Sequence, residues 1–177
     1  MSNLETKARE RSTADLLYES IYCAAIGGSA IALFFLVVDA WNGRLLFTPS
    51  LMGGVLFAGA DAAALDAASE VNVQWVAWMT AVHLAAFGVI GTGVTLLAHE
   101  IELHVRRPFI AFFVLFVVVA ESSIIAGYTF LPGVMEVMGW GKVLVANMLA
   151  AAGITAFLSH SHSPEIWQQL KETAHLA

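Results

Sequence analysis

Between Trp75 and Phe130 the chain carries two apolar stretches of about 22 residues each, separated by a short charged turn that includes Arg106 and Arg107. Crossing the hydrocarbon core of a bilayer takes about 20 residues at a helical rise of about 1.5 Å. Both stretches are long enough, and neither is purely apolar. The first contains His83 and the second Glu121. Ionisable side chains at membrane depth are costly, so each is a candidate for function.

The remaining composition points the same way. The 177 residues are 59% hydrophobic and only 12% charged, against about 25% charged in soluble domains. Mean hydropathy is +0.76. The length suits one compact helical domain. A net charge of −6 without any basic stripe argues against nucleic acid as a partner. The single cysteine, Cys23, excludes an internal disulfide framework. It opens an apolar stretch instead of following one, which also excludes a lipoprotein acceptor site. That first apolar stretch is longer than a signal peptide's core and lacks a small-residue cleavage site after it, so it is expected to stay as a span.

Four spans are expected, at about residues 21–38, 75–97, 109–130 and 142–158. Residues 1–20 form a polar N-terminal segment with a short surface helix starting at Ser12 or Thr13, and residues 159–177 form a polar C-terminal tail. The one long connection, residues 41–74, begins at Trp41 and ends against Trp75, as interfacial aromatics do. Within it Gly43 and Arg44 suit a turn. Thr48 is placed to cap a helix and Pro49 to occupy its first position. The apolar piece from Ser50 to Ala60 is too short to span, and reads as an interfacial or re-entrant helix. Asp61, Asp66 and Glu70 then mark an acidic, alanine-rich run in water. Leu131-Pro132-Gly133 breaks the chain before a brief loop with Glu136 and Trp140. The fold class is therefore all-α, a transmembrane four-helix bundle with one short helix in the first outer loop.

Two stripes of small residues recur every fourth position, Ala24, Gly28 and Ala32 in the first span and Ala77, Ala81 and Ala85 in the second. Such stripes let helices approach closely in lipid. Lys7, Arg9, Arg11, Arg106, Arg107 and Lys171 fall on one side of a four-span layout, with only Arg44 and Lys142 on the other. The positive-inside rule puts both termini in the cytoplasm and the acidic loop outside.

Counted from the outer ends of their spans, His83, Glu121 and Asn147 lie about 12, 13 and 9 Å deep, and Ser122 and Ser123 share the layer. An imidazole, a carboxyl and an amide thus occupy one slab. A structural clamp accounts for them, with interhelical hydrogen bonds of about 0.6 kcal/mol on average. So does a proton relay or ligand contact, because burial and neighbours bring such groups into titration near neutral pH.

The run from His99 to His104 suggests zinc, but its histidines are five apart, about 140° around a helix, where a zincin needs four. A metal site there would need His160 and His162 from the tail. A charged, solvated helix end is the simpler account of His99 and His104. Bis-histidine haem within one chain is disfavoured because His83 is the only histidine at depth. No phosphate-binding glycine loop and no hydrolase-like order of serine, histidine and acid occurs. No cofactor is expected.

The segments Gly43-Arg44-Leu45-Leu46-Phe47-Thr48-Pro49-Ser50-Leu51, His83 with Phe87 and Gly88, and Ala146-Asn147-Met148-Leu149-Ala150 resemble those of an uncharacterised family of small four-span bacterial inner-membrane proteins. The resemblance runs through most of the chain after Ile21 and implies that membrane and layout. It supplies no activity. The expected role is a non-catalytic accessory or scaffolding subunit packed on a membrane-protein partner or a second copy. The alternatives are a transporter or redox-complex subunit with a proton or quinone contact at His83 and Glu121, and a metal-binding protein at the cytoplasmic face.

Overall fold

Long continuous apolar runs leave the backbone no way to satisfy its hydrogen bonds in lipid except internally, and helices do so within one segment. The computed structural model describes residues 13–104 and 108–162. Among them every regular element is a helix: α1 (Thr13–Trp41), α2 (Phe47–Ala58), α3 (Ala62–Ala68), α4 (Val73–His104), α5 (Pro108–Phe130), α6 (Val134–Met138) and α7 (Trp140–His162). Three stretches are long and apolar enough to cross a membrane: α1, Val73–Ala98 of α4 and Trp140–Leu158 of α7. The Phe116–Phe130 part of α5 is apolar but shorter, as is α2.

Only 22% of the apolar core of α1 and of α4 is buried within the chain, and 39% of that of α7. Leu33, Val37, Leu84, Val89 and Ile125 all stand exposed. In water a continuous apolar surface of this kind would drive association; in hydrocarbon it is simply solvated.

The first helix differs from expectation. No break separates a surface helix from a span near residue 20; α1 is continuous for 29 residues. It packs along α4 on one side and α7 on the other, α5 packs on α7, and α4 and α5 barely touch. The four long helices therefore follow the order α4, α1, α7, α5, with a gap where the ring would close.

The two ends of this array are built differently. At one end Cys23, Val94, Ile154 and Leu158 form a tight cluster. A methyl group on Gly91 would lie 2.5 Å from the Ser20 carbonyl oxygen and 2.7 Å from the Ala24 nitrogen, so α1 and α4 touch backbone to backbone there. At the other end Phe35, Leu51, Val134, Met135 and Met138 join a second cluster that is roofed by α2 and α6. The roof helix α2 is held against the start of α4 by the missing side chain of Gly53, where a Cβ would sit 2.5 Å from the Trp75 carbonyl oxygen.

The start of α2 is not the local cap expected from Thr48. Leu46 occupies the position before the helix in a left-handed conformation (φ 65°), with no side-chain cap of its own. Asp39, near the end of α1 and only 5% exposed, supplies the acceptor instead. Its carboxylate accepts from the Thr48 backbone N–H and from the Thr48 hydroxyl, both at 2.7 Å. A carboxylate at a helix N-terminus meets unpaired N–H groups and the positive end of the dipole. Arg44 then lies 4.0 Å over the Phe47 ring and pairs with Asp66 at 2.6 Å. That pair is partly exposed and contributes at most about 1 kcal/mol. The acidic run contains α3, with Asp61 accepting from the Ala64 N–H as its cap. The expected loop after Pro132 is helix α6, buried through Val134, Met135 and Met138.

Candidate functional site

The helices on either side of that gap, α4 and α5, both line a cavity of about 610 Å³. It takes its walls from the second half of α1, the first half of α4, the second half of α5 and the start of α7, with α2 and α6 over it. All of these segments belong to the roofed end of the array. Phe87 and Ile90 stand where it meets the tightly packed end. The volume lies within the roughly 300–1,000 Å³ of small-molecule sites, and the lining has their character, mostly apolar with a few polar groups.

Those polar groups include three of the five residues expected at one membrane depth. His83 from α4, Ser122 from α5 and Asn147 from α7 all line the cavity. Asn147 is 2% exposed. A fourth, Glu121, lies on an exposed face of α5 and is not among the lining residues, and the side chain of Ser123 lies outside the described residues. The cavity thus brings His83 and Asn147 to one space and leaves the Glu121 carboxyl outside it.

His83 is set by a contact between α4 and α1. Its Nε2 lies 3.0 Å from the Gly28 carbonyl oxygen, and its ring is tilted against Phe87 with centroids 4.7 Å apart. Gly28 makes room for both, since a Cβ there would meet Phe87 Cγ at 3.2 Å and His83 Nε2 at 3.5 Å. A carbonyl oxygen only accepts, so in the uncharged ring Nε2 bears the hydrogen and Nδ1 holds a lone pair. Ser122 and Thr80, also on the wall, donate to the carbonyls of Val118 and Val76 one helical turn back. Their oxygens keep acceptor capacity as well. Asp39 and Thr48 line the roof and satisfy each other. In the sequence Asp39 falls just past the expected first span, residues 21–38, and nothing local there signals this clamp.

The small-residue stripes divide. Ala24 and Gly28 face α4, opposite Gly91 and Phe87, while Ala32 lines the cavity. Ala77, Ala81 and Ala85 are exposed. The face of α4 that packs inward carries Met79, Phe87 and Val94.

Among the described residues no three His, Cys, Asp or Glu side chains come together as metal ligands. His99 and His104 continue α4 where a turn was expected, and His160 is exposed on α7. The side chains of His99, His104 and His162 lie outside the described residues, as do Arg106, Arg107 and the C-terminal tail helix. The start of α1 and the end of α7 meet at the tightly packed end of the array, where the Ser161 hydroxyl donates to Glu19 Oε1 at 2.9 Å.

No protein-family model, curated protein or solved structure matches this chain.

Proposed function

We propose that this chain is a four-span protein of a bacterial inner membrane, non-catalytic in itself, that holds one long apolar molecule in the cavity between α4 and α5. The carrying observation is the cavity itself: about 610 Å³, mostly apolar, on the side of the array where two adjacent helices barely touch. An apolar space of this size, walled by two neighbouring helices that barely touch, would admit a chain-shaped molecule from lipid without passage through water. The polar groups on its wall would fix the head of that molecule, as a few placed polar groups do in apolar sites. In this reading α5 is the fourth span. The Glu19–Ser161 contact supports an even number of crossings, because it brings the start of α1 and the end of α7 to one end. The count of basic residues then assigns that end to the cytoplasm and the α2–α3–α6 roof to the outer face.

The test is retention of a ligand. Ala86 and Ala126 line the cavity and are exposed, so bulky residues there fill space without displacing the core. Native mass spectrometry of the full chain in mild detergent should find one long-chain molecule per chain in the wild type. The Ala86→Trp/Ala126→Trp double variant should lose it while remaining helical. Equal occupancy in both, or none in the wild type, overturns the reading.

A scaffolding role has its own support in the exposed stripe Ala77, Ala81 and Ala85 on α4, which leaves a helix-sized seat for a partner. Cross-linking through cysteines at Ala81 in native membranes would return either a partner adduct or none.

A further inference from the structure

His83 narrows what the cavity takes, given the ligand-holding role proposed above. Its Nε2–H is committed to the Gly28 carbonyl at 3.0 Å, and no second hydrogen bond of the ring occurs among the described residues. The acceptor it offers the cavity is therefore Nδ1, in the uncharged ring a lone pair and not a donor. The other polar oxygens on the same walls reinforce this. Ser122 and Thr80 spend their single hydrogens on Val118 and Val76, and the Thr48 hydroxyl spends its own on Asp39. What remains on each is acceptor capacity.

We infer that the cavity selects an apolar-chain molecule whose polar head donates a hydrogen bond, a hydroxyl group, with His83 Nδ1 as the principal acceptor. At His83 a head bearing only carbonyl or ether oxygens would set acceptor against acceptor and leave both unpaired in an apolar space, which costs more than a missing contact. The amide donor on the same walls, Asn147, is 2% exposed and already has a partner of its own. Two kinds of membrane molecule share the required chemistry, an isoprenoid alcohol and a hydroquinone in its reduced state. No bond forms or breaks in this recognition.

Matched pairs test it, with the full chain in lipid nanodiscs and binding measured by displacement of a tritiated long-chain alcohol. One pair is farnesol and farnesyl methyl ether; the other is decyl-hydroquinone and decyl-quinone, the former kept reduced. The wild type should bind the hydroxyl member of at least one pair about five- to tenfold more tightly, the worth of one hydrogen bond. A preference in the first pair alone assigns an isoprenoid alcohol, and in the second alone a quinol. In His83→Phe that preference should fall to about unity, and measurable binding of the ether or the quinone shows that the variant is folded and its cavity open. Equal binding of both members of both pairs overturns the inference and leaves the cavity role standing. A hydroxyl preference that survives His83→Phe also overturns it. Failure of all four molecules and the tritiated alcohol to bind the wild type overturns the cavity role itself.

Discussion

The His83 Nε2–H donates to the Gly28 carbonyl across 3.0 Å, joining the second long helix of the array to the first at the edge of its cavity. The Gly28 carbonyl sits within a helix and keeps its own partner, so loss of the imidazole removes a second bond and not the only one. His83→Phe should therefore cost about 0.6 kcal/mol and no more than about 1.7, the range for interhelical hydrogen bonds in membranes. Unfolding in graded SDS measures it. A larger loss would make the residue a structural clamp first.

Glu121 stands apart from this pair. Because its carboxyl lies outside the cavity on an exposed face of α5, Glu121→Gln should leave ligand affinity within about twofold of wild type. With α5 as the proposed fourth span, a carboxylate on its surface is itself costly, by about 2.5–3.5 kcal/mol at a helix centre on insertion scales. The isolated chain should accordingly insert as well or better with Glu121→Leu, read from the glycosylated fraction in an insertion assay. Poorer insertion would mean that Glu121 has a stabilising partner.

The Asp39–Thr48 clamp predicts non-additive stability. Asp39→Ala removes the acceptor for both the Thr48 N–H and its hydroxyl, at a cost of about 2–3 kcal/mol including the lost cap. Thr48→Val removes one bond and should cost about 1 kcal/mol. The double variant should be no worse than Asp39→Ala by more than about 0.5 kcal/mol, because the pair acts as a unit. Strict additivity of the two costs would show that the groups act independently.

These contacts mark what the sequence could and could not disclose. The long helices were legible because apolar length is a property of a single segment, and α2 was legible because Pro49 and a short apolar run are local. Counting along helices of known rise put His83 and Asn147 at a common level, and both line the cavity. The partner of His83 was not legible, because side-chain pairing rules look for another side chain and His83 meets a backbone carbonyl. Asp39 reaches Thr48 across a turn that reverses the chain at Gly43 and Leu46, so a contact nine residues apart hid behind an adequate local cap. Helix α6 is five residues long, too short for any periodicity, and is held by burial of Val134, Met135 and Met138. The inward face of α4 was not legible from alanine spacing, which marks only where approach is allowed. Met79, Phe87 and Val94 fill the space, while Ala77, Ala81 and Ala85 stay outside. The cavity depends on α4 and α5 failing to meet, and no pattern within either helix encodes that.

Two glycines on one helix test the backbone contact at the tight end. At Gly91 an added methyl group meets backbone atoms of Ser20 and Ala24 at 2.5 and 2.7 Å, which cannot move aside as a side chain would. At Gly88 nothing lies within 4 Å. Gly88→Ala should therefore gain helix propensity, up to about 1 kcal/mol. Gly91→Ala makes the same gain but must separate α1 from α4, for a net loss of about 1–3 kcal/mol. Unfolding midpoints of the two variants in SDS should bracket the wild type, with the Gly91 variant below it.

Topology offers the most direct check on the four-span reading. Cysteine introduced by Asp66→Cys lies on α3 at the roofed end, and cysteine introduced by Ser161→Cys lies at the opposite end beside Glu19. Cys23 is fully buried and serves as the unlabelled control in each variant. In intact cells a membrane-impermeant maleimide should modify the Asp66 variant at once and the Ser161 variant only after the membrane is opened. A third variant, Thr13→Cys, should behave as Ser161→Cys does, because the ends of α1 and α7 meet. Opposite labelling of the Thr13 and Ser161 variants would mean an odd number of crossings, with α5 lying along the membrane instead of through it.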